Sequence, residues 1–159
     1  DTVGALARSG KTNAGLLANL LMDGYVQLAP PKSTGFEYFN LEWLNKFLDS
    51  EMAVADIQST LCDLTATSII RAINQYAPLT EEIYICGGGV HNDHLMDRLA
   101  ANLPELSVDT TEAYGVMPDW VEAAAFAWLA KQTLENKPGT IAEVTGASAN
   151  LILGGIYPA

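Results

Sequence analysis

A strand, a run of glycines, a helix and a second strand follow one another in the middle of the chain, and this order constrains the fold most. Residues 82–86, EIYIC, are β-branched and aromatic and predict a short buried strand. Residues 92–103 repeat apolar side chains at the helical period until Pro104. Residues 106–110, LSVDT, predict the second strand. Because strands joined through a helix normally run parallel, the sequence predicts an α/β layered fold with at least two parallel strands.

Segments on both sides of this unit carry helix or loop signatures. Two prolines and a glycine exclude regular structure from residues 28–40, which we expect to form a loop, the proline loop. The glycine-rich tail, 146–159, contains the β-prone LILGGIY and predicts a final short strand. Apolar side chains recur at helical spacing in four further segments, which predict helices over 13–22, 40–48, 54–76 and 119–136.

The composition is that of a globular protein with an acidic surface. Hydrophobic residues make up 49% of the 159 positions and charged residues 17%, which is typical of one domain with its own core. The net charge of −11 disfavours binding to nucleic acid or to an anionic membrane surface. The most apolar stretch, residues 123–130, is too short to cross a bilayer.

Cysteine use and the start of the chain indicate the cellular context. Cys62 and Cys86 lie in apolar segments, so we expect two reduced, buried thiols, as in a cytosolic protein. Residues 1–22 lack the basic and apolar regions of a signal peptide. The chain begins on Asp1, from which we expect a processed product or a piece of a longer protein.

Two interpretations of Gly87, Gly88 and Gly89 stand side by side. Backbone N–H groups at a helix start are unpaired and partly positive, and glycines let a ligand approach them, which favours a nucleotide's phosphates or sugar. The run could equally be a structural turn. It is neither a P-loop nor a dinucleotide fingerprint, because Gly-Lys-Ser/Thr and the last required glycine are missing. Asn92 is a good N-cap whose amide could also bond a ribose or base.

His91 and His94 raise the question of a metal site. They lie three positions apart, but no nearby cysteine or third histidine completes a ligand set. Asp93 and Asp97 could offer oxygen ligands, yet acids are also favourable near the start of a helix, where they complement the helix dipole. We therefore predict no metal site in this segment.

Two further segments offer groups to a ligand. In residues 118–123, PDWVEA, Asp119 and Glu122 have the spacing of a helix cap. In the alternative, Glu122 turns into a cleft and accepts hydrogen bonds from substrate hydroxyls. The proline loop offers Lys32 and Ser33, which could contact a ligand or could belong to an ordinary solvated connection.

Five separated segments carry a resemblance that covers nearly the whole chain: DTVGALARSG (1–10), PPKSTGFEYFN (30–40), CGGGVHN (86–92), DWVEAAAFAWLA (119–130) and VTGASANLILGGIYP (144–158). In this order they resemble the C-terminal half of the anhydro-N-acetylmuramic acid kinase family. That family belongs to the superfamily of sugar kinases, Hsp70 and actin, in which two α/β domains close over ATP. The resemblance implies that residues 1–159 are the C-terminal, nucleotide- and sugar-contacting part of a two-domain kinase. It implies a ribonuclease H-like or actin-like ATPase fold, with a mixed sheet flanked by helices.

The resemblance also implies an activity, which belongs to peptidoglycan recycling and amino-sugar catabolism. Such a kinase converts 1,6-anhydro-N-acetylmuramic acid to N-acetylmuramic acid 6-phosphate. ATP, accompanied by Mg²⁺, supplies the phosphoryl group, and a water opens the anhydro ring. The implied partners are the sugar and ATP, with a homodimer as an option and with neither nucleic acid nor membrane. The implied location is cytoplasmic.

Carried over to this sequence, the resemblance gives site residues but no catalytic one. The family usually has an arginine in the proline loop where this chain has Phe36, so no charged role is expected there. The family's FDTGPGN-type segment, which carries the catalytic aspartate, is expected upstream of Asp1, so we expect the chain to be inactive alone. The alternatives are a non-catalytic nucleotide-binding module and a structural or interaction domain. The assigned residues are Gly87, Gly88, Gly89 and Asn92 for the nucleotide, and Glu122, Lys32 and Ser33 for the sugar.

Overall fold

The computed structural model describes residues 1–157, which contain eight α-helices, two strands and four short 3-10 turns. The helices are α1 (Ala5–Ser9), α2 (Ala14–Leu21), α3 (Gly24–Gln27), α4 (Leu41–Asn45), α5 (Val54–Tyr76), α6 (Asp93–Asn102), α7 (Val121–Leu134) and α8 (Ala142–Thr145). The strands are β1 (Glu82–Ile85) and β2 (Ser107–Thr110), and the 3-10 turns are Thr2–Gly4, Gly88–His91, Thr111–Tyr114 and Pro118–Trp120. None of the helices in this part of the chain has the length and apolar character needed to cross a bilayer.

β1 and β2 form a parallel two-stranded sheet. Their register runs from Glu82 opposite Ser107 to Ile85 opposite Thr110. α6 is the crossover helix that connects them, and it contacts β2. The prediction of an α/β fold with two parallel strands joined through a helix is therefore confirmed. Within residues 1–157 the sheet contains this parallel pair alone, so the mixed sheet and the ribonuclease H-like or actin-like identity stay predictions.

α5 is the central helix of the fold, and it contacts α1, α2 and α6. Its bounds agree with the predicted helix over 54–76. Gly10, at the end of α1, lets α1 approach the backbone of α5 closely, since a Cβ added to Gly10 would lie 2.0 Å from the carbonyl oxygen of Ala55. The Thr60 hydroxyl accepts a hydrogen bond from the backbone N–H of Asn13 at 2.9 Å. This contact fixes the start of α2 on α5.

The hydrophobic core lies between α2, α4 and α5, and it contains the fully buried Leu20 at 0% exposure. Side-chain caps define where two of these helices begin. Asn13 accepts a hydrogen bond from the Leu16 N–H at 2.9 Å, and Asn40 accepts one from the Trp43 N–H at 2.9 Å. The buried residues of this core are Leu16, Leu20, Leu21, Trp43, Leu44 and Leu64.

Four predicted elements differ from the structure. β1 is at most half-buried and not buried as predicted, since only one strand pairs with it in the described residues. The helix predicted over 119–136 spans Val121–Leu134, because Pro118–Trp120 form a 3-10 turn. α4 ends at Asn45, three residues before the predicted end, and residues 46–47 continue as a turn. The predicted final strand is wrong for the described part of the tail: Leu151 instead accepts a hydrogen bond from the Gly139 N–H at 2.9 Å and donates its own N–H to the Thr140 hydroxyl at 2.6 Å. These hydrogen bonds join the tail to residues 139–140 instead of to a strand of the sheet. Positions 158 and 159 of that prediction lie outside the described residues.

The two cysteines lie in different environments, and both are free thiols. Cys62 is buried in α5, and this burial raises the pKa of its thiol, with a further rise from the charge of Asp63. Cys86 is exposed where β1 ends. The prediction of two buried thiols is therefore wrong for Cys86, because the turn that follows β1 leaves that end of the strand uncovered.

Candidate functional site

The glycine turn, defined here as Gly87–His91, leads from β1 into α6. Gly87 has φ 76° and ψ −177°, a conformation that favours glycine, and Gly88–His91 form a 3-10 turn. Asn92 then caps α6, because its Oδ1 accepts a hydrogen bond from the Leu95 N–H at 3.0 Å. The predicted strand–turn–helix connection is confirmed, and so is the capping role of Asn92.

The space beside the glycine turn is open. A Cβ built on Gly87, Gly88 or Gly89 would meet no neighbouring atom within 4 Å, apart from the adjoining residues. Gly88 and Gly89 are also exposed. Packing within the described chain therefore requires no glycine at these two positions, and only Gly87 needs one for its positive φ. Open space of this kind is what a ligand needs to approach the backbone N–H groups at the start of a helix.

Asn92 is enclosed on the side of its side-chain oxygen. A Cβ added to Gly4 would lie 2.1 Å from Asn92 Oδ1 and 2.8 Å from His94 Cβ, so the first turn of the chain packs directly against this cap. Gly4 is buried and has φ 75°. The Oδ1 atom is thus used for capping and is covered. The predicted nucleotide contact of Asn92 stays a prediction, and its amide nitrogen is the atom left for it.

The start of α7 lies against the glycine turn. The Gly87 N–H donates a hydrogen bond to the Pro118 carbonyl oxygen at 3.0 Å. The His91 Nε2 atom lies 2.9 Å from Asp119 Oδ1 and 3.0 Å from Asp119 Oδ2. These two links bring the predicted nucleotide-side turn and the PDWVEA segment together, although 28 positions separate His91 from Asp119. Sequence spacing carries no signal for this contact.

The capping role predicted for Asp119 is wrong. No side-chain hydrogen bond caps α7 or the 3-10 turn before it, because the carboxylate of Asp119 is turned to His91 instead. Glu122 lies in the first turn of α7 and is exposed. Within residues 1–157 it has neither a hydrogen bond nor an ion pair. Its carboxylate is therefore free to accept hydrogen bonds, and its predicted sugar contact stays a prediction.

The proline loop places Lys32 and Ser33 elsewhere. The Lys32 Nζ atom donates to the carbonyl oxygens of Tyr25 and Val26, at 3.1 Å each, and lies 5.0 Å from the centre of the Tyr25 ring. Lys32 therefore satisfies carbonyl groups of the short helix α3. Ser33 is exposed. In the described structure no hydrogen bond or ion pair links these two residues to the glycine turn.

Asp23 organises the surroundings of this loop. Its carboxylate accepts hydrogen bonds from Trp43 Nε1 at 2.9 Å, from the Tyr25 N–H at 2.9 Å and from the Tyr38 hydroxyl at 3.0 Å. Partial desolvation alone would raise the pKa of Asp23, but these hydrogen bonds together lower it. The loop also reaches the tail, since a Cβ added to Gly146 would lie 2.8 Å from Pro31 Cγ.

A partly open cavity of about 370 Å³ lies between the proline loop, α3 and the second half of α5. Lys32 and Arg71 contribute positive charge to its wall, and Tyr25 and Tyr76 contribute aromatic rings. The glycine turn has no part in this wall. The structure therefore places the glycine turn beside Pro118 and Asp119, just before the α7 turn that carries Glu122, and it places Lys32 in a separate region.

His94 is buried, and its surroundings disfavour the charged form of its imidazole. It is 7% exposed, and neither ring nitrogen has a hydrogen-bond partner. Burial lowers the pKa of its imidazole, and the positive charges of Arg98 and Arg8 lower it further. In the part of the chain that the structure describes, no group of three or more His, Cys, Asp or Glu side chains is placed to hold a metal ion.

Comparison with known proteins shows which family the chain belongs to. The family model described as Anhydro-N-acetylmuramic acid kinase matches residues 1–159. A protein of Nitrosomonas europaea with that name is 48% identical over 159 residues, which are 100% of this chain and 44% of the relative. Its namesake in Coxiella burnetii (strain Dugway 5J108-111) is 49% identical over 158 residues, or 99% of this chain and 42% of the relative. In Pseudomonas syringae pv. syringae the same name belongs to a relative that is 48% identical over 161 residues.

These relatives are much longer than the chain. The matched segment covers all or nearly all of this chain but only 42–44% of the relatives named above. The shares of length agree with the prediction that the chain corresponds to a part of a larger kinase. They do not confirm the prediction that this part is the C-terminal half.

Proposed function

Because the chain belongs to the anhydro-N-acetylmuramic acid kinase family, we propose that it forms part of an ATP-dependent kinase acting on an anhydro amino sugar. The proposed reaction converts 1,6-anhydro-N-acetylmuramic acid to N-acetylmuramic acid 6-phosphate, with hydrolytic opening of the anhydro ring. The observation that carries the proposal is the open glycine turn after β1, held beside the acidic start of α7 in a chain matched from end to end.

The nucleotide side of the proposed site is the glycine turn. Gly87, Gly88 and Gly89 leave room for phosphate or ribose groups to approach the backbone, so the residues present fit a nucleotide. ATP, when bound, supplies the phosphoryl group. The turn binds and orients it through backbone N–H groups, and Asn92 adds its amide nitrogen. Positioning of this kind accounts for most of the catalysis of phosphoryl transfer. We assign Mg²⁺ no ligands in this chain.

The sugar side of the proposed site is the first turn of α7. The Glu122 carboxylate has no partner within residues 1–157 and can accept hydrogen bonds from sugar hydroxyls. Lys32 and Ser33 are weaker candidates, because Lys32 is already occupied by two backbone carbonyl groups. Contact with the sugar would therefore break the hydrogen bonds that Lys32 donates to the carbonyl oxygens of Tyr25 and Val26 in α3.

We also propose that the remaining polypeptide of the longer kinase completes this site. α7 buries none of its side chains in the described structure, and Phe126 and Leu134 are 72% and 70% exposed. An apolar helix of this kind is typical of one that is covered by further structure. The catalytic aspartate is proposed to lie in that remaining polypeptide, which would leave these 159 residues inactive alone. The homodimer and the cytoplasmic location stay predictions.

A non-catalytic nucleotide-binding module is the alternative function, because the open glycine turn by itself requires no catalytic aspartate. Thermal unfolding with and without ATP-Mg²⁺ separates this alternative from a purely structural domain, since a ligand specific for the native state raises the melting temperature. A Gly88→Val change should abolish the shift, because the added side chain fills the open space that the nucleotide needs.

The deciding experiment compares the full-length kinase with the 159-residue chain. Both are incubated with the anhydro sugar and ATP, and the 6-phosphate product is measured by mass spectrometry. We expect turnover by the full-length protein, its loss in Gly88→Val, and none by the chain alone. A full-length protein that forms no product would overturn the proposed reaction. Turnover by the 159 residues alone would show that they already hold every catalytic group.

A further inference from the structure

We propose that His91 and Asp119 are positioning residues that hold the glycine turn and the first turn of α7 at a fixed distance. The proposal rests on the function proposed above, because it concerns how the nucleotide and sugar sides of that site are kept in place. It assigns a role to two side chains that the family resemblance leaves without one.

The geometry of the pair is well suited to this role. The His91 Nε2 atom lies at nearly equal distances from the two carboxylate oxygens of Asp119, 2.9 Å and 3.0 Å. His91 closes the 3-10 turn that begins at Gly88, and Asp119 lies in the 3-10 turn that leads into α7. A carboxylate only accepts hydrogen bonds, so this contact requires a hydrogen on Nε2, which the imidazolium and one of the two neutral tautomers supply. The side chains therefore connect the two turns directly.

A second link fixes the orientation of the two turns. The Gly87 N–H donates to the Pro118 carbonyl oxygen at 3.0 Å. The backbone link lies where the glycine turn begins, and the His91–Asp119 link lies where it ends. Two links at separate points restrain rotation as well as distance. Glu122 follows Asp119 by three positions, so its place relative to the three glycines depends on both links.

The pair has no visible task in stabilising the fold. The side chains of His91 and Asp119 are 63% and 53% exposed. Neither caps a helix through its side chain. Exposed pairs of this kind contribute little to the free energy of unfolding. A change in the pair should therefore affect the reaction far more than the stability, since small displacements of reacting groups lower rates steeply.

The test uses the full-length kinase with His91→Ala, Asp119→Ala and the double variant. We expect each single change to lower kcat about tenfold, with KM for ATP changed less than about twofold, because the glycines keep their own backbone contacts. The double variant should be no slower than either single variant, because both remove the same link. His91→Arg should restore most of kcat, since its guanidinium can also donate to both carboxylate oxygens.

Arg8→Ala is the matched control. The Arg8–Asp97 pair is also a charged surface contact, at 2.6 Å with side chains 50% and 64% exposed, but it joins α1 to α6 away from the α7 start. Arg8→Ala should leave kcat unchanged. Values of kcat for His91→Ala within about twofold of the unchanged enzyme would overturn the proposal. Equal losses in His91→Ala and Arg8→Ala, or no rescue by arginine, would do the same.

Amide hydrogen exchange provides a readout that does not depend on activity. In His91→Ala, exchange should become faster across 118–122 and 88–91, and it should stay unchanged in Arg8→Ala. Faster exchange in a full-length protein without kinase activity would overturn the proposed reaction and leave the link between the turns established. Activity in the unchanged enzyme, with exchange and kcat both unaffected by His91→Ala, would overturn the link alone. Faster exchange without a loss of kcat would overturn the positioning role.

Discussion

The helices around α5 and the segment from α7 to the tail both carry many apolar side chains, yet only the first region buries them. α2 buries three leucines, Leu16, Leu20 and Leu21, against α4 and α5. α7 buries none of its described residues, although it contains Phe126 and Trp128. An amphipathic helix needs one neighbour, whereas a helix that is apolar around its circumference needs several. The contrast shows which part of the chain forms a core by itself and which leaves its apolar side chains exposed within residues 1–157.

The largest expected effect tests whether the core around α5 stabilises the chain more than α7 does. Leu20→Ala should lower the free energy of unfolding by about 2–5 kcal/mol, because Leu20 is 0% exposed and its removal leaves a cavity. Leu134→Ala, at a site that is 70% exposed, should change it by less than about 0.5 kcal/mol. Urea unfolding of both variants of the chain measures the difference. Equal losses would mean that α7 is buried in solution.

The next expected effect compares a closed glycine with an open one. Gly4→Ala should destabilise the chain by about 1–3 kcal/mol, because Gly4 has φ 75° and an added Cβ would meet Asn92 Oδ1. Gly88→Ala should be close to neutral for stability, since its Cβ would meet no atom within 4 Å. Melting temperatures of the two variants decide the matter. A Gly88→Ala variant as unstable as Gly4→Ala would show that the turn is packed.

The smallest expected effect concerns pH and the two histidines. Burial lowers the pKa of His94 in the folded state, so below about pH 6.5 the unfolded chain binds a proton before the folded chain does. Stability should therefore be highest above that pH and should fall as the pH drops toward the folded pKa. Urea unfolding between about pH 7.5 and pH 5.5 measures this slope, which should flatten in His94→Leu.

His91→Gln serves as the control, because it also removes an imidazole but does so at an exposed position, whereas His94 is buried. The slope should persist in that variant. A slope that disappears with His91 and persists in His94→Leu would contradict the assignment and would place the pH-sensitive contact at the turn.

Local signals account for much of the fold. The helical period and Pro78 predict α5 over its observed bounds, and the β-branched run before the glycines predicts β1. The tail shows the limit of such signals: LILGGIY has a high β propensity, but a strand also needs a neighbouring strand with free backbone groups. In the described structure, Leu151 bonds to residues 139–140 instead.

The candidate site divides in the same way. The glycine turn and the cap at Asn92 follow from local sequence, because both depend on residues within a few positions of each other. The His91–Asp119 contact depends on how α7 is placed, which no spacing shows. The predicted cap at Asp119 is wrong for the same reason. Its carboxylate contacts His91, a residue distant in sequence, and does not bond to the first turn of α7.

The exposed thiol of Cys86 can be used to measure how accessible the glycine turn is. Of the two thiols, Cys62 is buried in α5 with a raised pKa, whereas Cys86 is exposed directly before Gly87. Thiol reagents act on the exposed, ionised form, so they should modify Cys86 first. The rate of that modification then measures access to the glycine turn, and any molecule that occupies the turn should slow it without a substitution or an attached label.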